Sequence, residues 1–348
     1  MKTPTRRLIA VASVVMATAM TMTIAACSSG ITDPMEIDDA MDPVDPTDTG
    51  GTAVGSPDPA KFVAGALSAE VTTEACVLSG GTSTTCYRIV TAGVPADAAI
   101  GPFCPPTITS TADEGGIWFD GSGSVYDING PFIANLATLY GDNNWQLFDS
   151  ATGLVYITDT QEKFEGAAQP NVAAEFQNQC VSGSMDWVNG GVSTTYLIPT
   201  TLVPLSTPDA INSDVGVSLN GIPLAAPAPV SNILGAYTIA AFDDCGGHIN
   251  PVAGYHYHGS VGCTESGVQS DGHAALLGYA MDGYGIYGML DAAGAEPAVL
   301  DECRGETDDV RGYHYHSASA GENMFIGCFK GDRVATATNE PPGGPPPR

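Results

Sequence analysis

Positive charge is scarce in this chain. Eleven lysines and arginines stand against 39 aspartates and glutamates, so the formal net charge over 348 residues is 11 − 39 = −28. Such a surface repels phosphate backbones and anionic headgroups, which argues against nucleic acid as a partner, and it enriches metal cations nearby. Acidic surfaces also serve solubility, so the charge alone assigns no site. Long hydrophobic runs are absent after residue 26, and nothing beyond that point is long enough to span a bilayer. Gly-x-Ser-x-Gly, a phosphate-binding glycine loop and His-Glu-x-x-His are also missing, which leaves the commonest hydrolase and nucleotide-binding classes without support.

What is present begins with an export signal. Lys2, Arg6 and Arg7 precede an apolar run over residues 8–26, the pattern of a signal peptide. The run ends in Ile24-Ala25-Ala26-Cys27, which resembles the lipobox of bacterial lipoproteins, with Cys27 as the acylated, palmitate-bearing residue. Ser28 follows it, where retention at the inner membrane favours Asp, so the outer membrane or cell surface is the expected location. Contact with the membrane is expected through the lipid alone. Cleavage removes three bases and no acid, which takes the mature chain to 8 − 39 = −31. Residues 27–60 are rich in Asp and Pro and contain no base, and read as a disordered acidic tether; residues 336–348 read as a disordered proline-rich tail.

Eight cysteines remain after Cys27, and an even number in an exported chain reads as disulfides. Proximity suggests Cys76 with Cys86, Cys245 with Cys263 and Cys303 with Cys328, although eight cysteines allow about 105 connectivities.

The intervening residues read as mainly β. Short β-branched and aromatic runs at residues 86–90, 117–120, 124–128, 154–158, 194–198, 215–219 and 237–241 are bounded by Gly, Pro, Asn or Asp. Asn129-Gly130, Asn189-Gly190, Asn220-Gly221 and Asp282-Gly283 are candidate hairpin turns. Residues 131–140 carry Phe132, Leu136 and Leu139 at helical spacing behind a proline, and predict one of few short helices. A β-rich region over 61–192 and a second domain over 193–335 are expected.

All six histidines fall between His248 and His316. A shift of 316 − 258 = 58 residues superposes residues 243–258 on 301–316 without a gap, with nine of sixteen positions identical. Each copy ends in Gly-Tyr-His-Tyr-His. Side chains two apart on a strand share a face, so His256 with His258, and His314 with His316, form two-nitrogen chelates suited to zinc or copper. His248, eight residues before His256, offers a third ligand, and Glu306 occupies the matching place in the second copy. His273 is a spare ligand or acid–base group between the copies. One shared ion or two separate ions both fit this pattern, and Asp282, Asp271 and Glu306 are candidate general bases if a bound ion activates water. Alternating Tyr and His also suits plain cross-strand packing, and the tyrosines read as structural.

These residues resemble the YHYH domain family over about residues 195–333. The resemblance rests on Leu219-Asn220-Gly221-Ile222-Pro223, the Asp243 to His248 block, Gly254 to His258, the block from Leu277 to Gly288, Leu300 to Cys303, Gly312 to His316 and Gly327 to Gly331. It implies an exported bacterial protein without implying a reaction. Related sequences tend to carry Gly-His where this chain has Gly305-Glu306, and aromatic or proline residues near 322–325, so the second copy is not a full equivalent of the first.

Overall fold

A computed structural model describes residues 55–265 and 267–334. The signal peptide, Cys27, most of the expected tether and the tail from residue 335 lie outside the described residues. The end of the tether does not: Asp58 donates its backbone N–H to the Tyr279 hydroxyl at 3.0 Å, and a short 3-10 turn, Pro59–Lys61, follows.

The fold is mainly β, as the composition of the short runs predicts. Thr72–Val77, Ser83–Val90 and Thr195–Pro199 form an antiparallel three-stranded sheet. The larger sheet has eight strands, numbered here along the chain: β1 Gly216–Ser218, β2 Pro223–Leu224, β3 Gly247–Asn250, β4 Gly254–Tyr257, β5 Leu276–Ala280, β6 Gly285–Tyr287, β7 Gly305–Asp308 and β8 Gly312–His316. Their spatial order is β3-β4-β2-β1-β5-β6-β8-β7. That order is symmetric about its centre. An outer hairpin (β3–β4 or β7–β8) lies beside an inner hairpin (β1–β2 or β5–β6), and the parallel contacts match: Tyr257 opposite Leu224, Tyr315 opposite Ile286. At the centre Val217 pairs with Tyr279, and these are equivalent residues when the two hairpin turns are superposed. A pseudo-twofold axis therefore passes through this pair. The duplication thus includes the Asn220-Gly221 and Asp282-Gly283 hairpins, 282 − 220 = 62 residues apart, and not only the Tyr-His-Tyr-His strands.

Three helices pack around this sheet: α1 Gly130–Leu139, α2 Gln161–Ala167 and α3 Val230–Gly235. The predicted helix is α1, but Asn129-Gly130 is not a hairpin turn. The Asn129 side chain accepts a hydrogen bond from the Phe132 N–H at 2.8 Å and caps the helix, because Pro131 sets the first turn's φ. Asn189-Gly190 likewise closes a 3-10 turn, Met185–Val188. Residues 154–158 make only isolated bridges through Leu154, Val155 and Ile157. Four disulfides form: Cys76–Cys86, Cys245–Cys263 and Cys303–Cys328 as spacing suggests, and Cys104–Cys180. Buried residues from both halves, including Trp118, Phe119 and Phe164 with Phe242, Tyr257 and Tyr315, belong to one hydrophobic cluster. Among the described residues no helix is long and apolar enough to cross a membrane.

Candidate metal centres

The pleat separates the motif into two chemistries. The tyrosines turn to the side that anchors the chain. Tyr255 donates to Asp243 Oδ2 at 2.7 Å, while Asp243 Oδ1 accepts the backbone N–H groups of Cys245 and Gly247. The second copy repeats this: Tyr313 donates to Asp301 Oδ2, and Asp301 Oδ1 accepts from Cys303 and Gly305. Tyr315 donates to the fully buried Asp282, whose carboxyl burial pushes up to about 6. Burial also raises the tyrosine hydroxyls, so they remain protonated donors. These contacts make the tyrosines structural, and they occupy Asp282 away from the imidazoles.

The histidines share the other side. In the first copy the register sets His248 of β3 opposite His256 of β4. With His258 they form a triangle of Nε2 atoms with edges of 3.1, 3.0 and 3.3 Å. His256 Nδ1 lies 3.0 Å from the Gly254 carbonyl, and His258 Nδ1 lies 2.8 Å from the Ala226 carbonyl. A carbonyl can only accept, so both Nδ1 atoms carry the ring proton and both Nε2 atoms present lone pairs. Those two lone pairs face each other at 3.0 Å with no hydrogen between them.

The second copy places Glu306 of β7 opposite His314 of β8, where His248 stands in the first. Its Oε1 lies 3.1 Å from His316 Nε2, 3.5 Å from His314 Nε2 and 3.6 Å from His273 Nε2. His273, from the segment between the copies, approaches His314 Nε2 to 3.1 Å. All three rings have Nδ1 on a carbonyl: His273 on Ala274, His314 on Gly312 and His316 on Gly288. The second-copy carbonyls repeat those of the first, since Gly288 and Ala226 are again 62 residues apart.

The six histidines and Glu306 thus divide into two clusters, His248-His256-His258 and His273-Glu306-His314-His316, that share no ligand atom. Four tetrahedral ligands at zinc-like bonds of about 2.0–2.1 Å have edges of about 3.3–3.4 Å, and octahedral ones about 3.0 Å, which the first triangle matches, as do the second cluster's distances of 3.1, 3.1, 3.5 and 3.6 Å. Burial drives His256 down to about 4 and His248 and His258 well below their ordinary value, and it lowers His314 and His316 too. At neutral pH these rings are uncharged and fit to ligate.

Of the other candidates, Asp271 is not among the gathered donors: it pairs with Arg311, which also holds Asp308, and it lines a cavity of about 350 Å³ beside His273, Glu306 and His316. Sequence reasoning missed the carbonyls of Ala226 and Gly288 that fix the ring tautomers. It also missed a cavity of about 470 Å³ that opens on the first cluster, lined by His248, His256 and His258 with residues of the 167–181 and 229–240 segments.

Fold and clusters together define a disulfide-stapled β-protein built on a duplicated hairpin pair, each copy presenting a compact set of metal-type donors. The chain carries a YHYH domain: residues 195–295 match the family described as YHYH protein. The match contains the whole first cluster and His273, while Glu306, His314 and His316 lie beyond it. No curated protein and no solved structure matches the chain.

Proposed function

We propose that this protein is an envelope lipoprotein that binds a transition metal, zinc or copper, at two sites. The observation that carries the reading is the gathering of Nε2 atoms around common points, five of them on rings whose Nδ1 faces a carbonyl. In the second cluster three imidazole lone pairs and a carboxylate converge with every Nδ1 proton already committed to a carbonyl. Acceptors packed at such distances repel one another unless a proton or a cation lies among them, and burial disfavours the proton. Imidazole and carboxylate donors suit zinc and copper(II), and the cysteines are committed to disulfides. Four disulfides fit an oxidising compartment, in keeping with the basic leader and Cys27 as an exported lipid anchor.

The first cluster supports a second reading within the same chemistry. Three protein ligands with an open side are the pattern of catalytic zinc sites, whereas four ligands mark structural ones. On that reading the first copy works on a small molecule and the second holds its ion with four protein donors, beside a cavity of about 350 Å³ that His273, Glu306 and His316 help to line.

Elemental analysis of protein exported with its disulfides intact tests the assignment. Two equivalents of metal per chain are expected, with loss from both sites in a His256→Ala/His314→Ala variant. Equal metal content in the two proteins overturns it.

A further inference from the structure

The two copies share a scaffold but not a fourth donor. In the second, His273 completes the set. In the first, among the described residues, no fourth His, Cys, Asp or Glu joins the triangle, and that side opens into the cavity of about 470 Å³.

The walls of this cavity are unusual for so acidic a chain. No Asp, Glu, Lys or Arg lines it, and Val181, Ile233, Ala240, Ile249 and Val252 supply apolar surface. Its polar side chains are turned to backbone partners. Thr238 donates to the Ile233 carbonyl at 2.9 Å, Asn232 donates to the Pro170 carbonyl at 3.0 Å, and Asn250 accepts from the N–H groups of Val252 and Ala253. A ligand body therefore meets hydrocarbon, and the donors at the floor are the only concentrated polar feature.

Charge selects the other end of that ligand. Three neutral imidazoles leave the full charge of a divalent ion in place, whereas Glu306 cancels part of it in the second cluster. A buried charge without a counter-charge is costly, so an anionic donor is favoured at the open position.

We infer that the first cluster is a ligand site for a small monocarboxylate with an apolar body: the carboxylate oxygen completes the coordination of the metal on His248, His256 and His258, and the hydrocarbon fills the cavity. This rests on the metal reading above. It also gives residues 161–181 a role, since α2 and the segment after it form one wall, tied at Cys180 by the disulfide to Cys104.

The test uses the full exported chain loaded with cobalt(II), titrated with acetate, butanoate and hexanoate and read by the visible cobalt bands. Each methylene buried contributes about 0.8 kcal/mol, a factor of about four, so affinity is expected to rise toward fourfold per methylene. Ile233→Trp fills the cavity and is expected to abolish the chain-length dependence with cobalt content unchanged. Val252→Glu, at a half-exposed rim position that tolerates substitution, is expected to weaken all three acids by at least fivefold. His248→Ala is expected to remove the response. Equal affinities for acetate and hexanoate, or a hexanoate response that persists in His248→Ala, overturn the inference while two equivalents of cobalt leave the metal reading standing. A protein that takes up no cobalt overturns both.

Discussion

Metal-free protein should lose stability steeply as the pH falls from 6.5 to 4. His256 is 7% exposed and its folded pKa lies at about 4, against an ordinary 6.5. A histidine held below its unfolded value contributes stability that is present above 6.5 and is lost as pH falls through 4. For His256 alone the difference, 6.5 − 4, is worth about 3 kcal/mol at 1.36 kcal/mol per unit. His248 and His258 are also held well below their ordinary value by burial and by the neighbouring rings, so all three must take up a proton on unfolding within this window. Three protons correspond to a slope of about 4 kcal/mol per pH unit at its steepest. Asp282 and Asp214 oppose this, and burial raises Asp243 in the same direction. A folded pKa of about 6 at each of the first two, above the ordinary 3.8, contributes stability that is fully present below 3.8 and lost as pH rises through 6, about 3 kcal/mol apiece. The histidines still outnumber these carboxyls, because His314 and His316 add in the histidines' direction.

The assay is guanidinium unfolding at half-unit pH steps in the presence of a chelator. Stability plotted against pH should fall between 6.5 and 4, and a His256→Ala/His258→Ala variant should flatten the slope by about two protons. Loaded protein should resist to lower pH, because ligation holds Nε2 against protonation. A chelated wild type whose slope stays below one proton, or a variant with an unchanged slope, would refute the burial argument.

Three further outcomes follow from the scaffold. Tyr315→Phe removes a donor from buried Asp282 and should cost about 1–3 kcal/mol in unfolding free energy, with metal content by elemental analysis unchanged. Replacing both Cys104 and Cys180 with Ala opens a loop spanning 76 residues and should cost about 2–5 kcal/mol by chemical denaturation, with the wall of the first cavity becoming the most labile segment to hydrogen exchange. Gly278→Ala, whose added Cβ would lie 2.1 Å from the Val217 carbonyl beside the pseudo-twofold axis, should lower stability by about 3 kcal/mol, measured as a fall in Tm, because the central strands must separate.

The ligands on strands were legible because a strand writes its geometry into the sequence with a period of two. His256, His258, His314 and His316 needed only that rule, and the ungapped shift of 58 gave His248 and Glu306 by equivalence. His273 carried no such signal. It reaches its cluster from 41 residues before His314, through a segment without periodicity, so its position was visible and its partner was not. The repeat of the inner hairpins was hidden by a change of register: turns lie 62 residues apart, motifs 58, and an ungapped comparison catches only the second. Asn129-Gly130 misled because the same side chain serves a turn or a cap, and only Pro131 distinguishes them. Residues 154–158 have strand-like composition, but the neighbouring backbone offers them isolated bridges and not a ladder.

The symmetric sheet and the asymmetric sites are explained together if the tyrosine side carries the fold and the histidine side carries the chemistry. Tyr255 on Asp243 and Tyr313 on Asp301 perform the same anchoring in each copy, so neither can change without loosening its hairpin. The register partner of the first motif histidine is under no such constraint: it is His248 in one copy and Glu306 in the other, on the same strand pairing. Exchange of a neutral for an anionic donor at that position alters the charge left on a bound ion by one, and His273 adds a fourth donor to the anionic copy. The neutral copy keeps its open side against an apolar cavity. Duplication of a chelating hairpin can in this way yield one ion with four protein donors and one that still has a coordination position to offer, on one strand pairing.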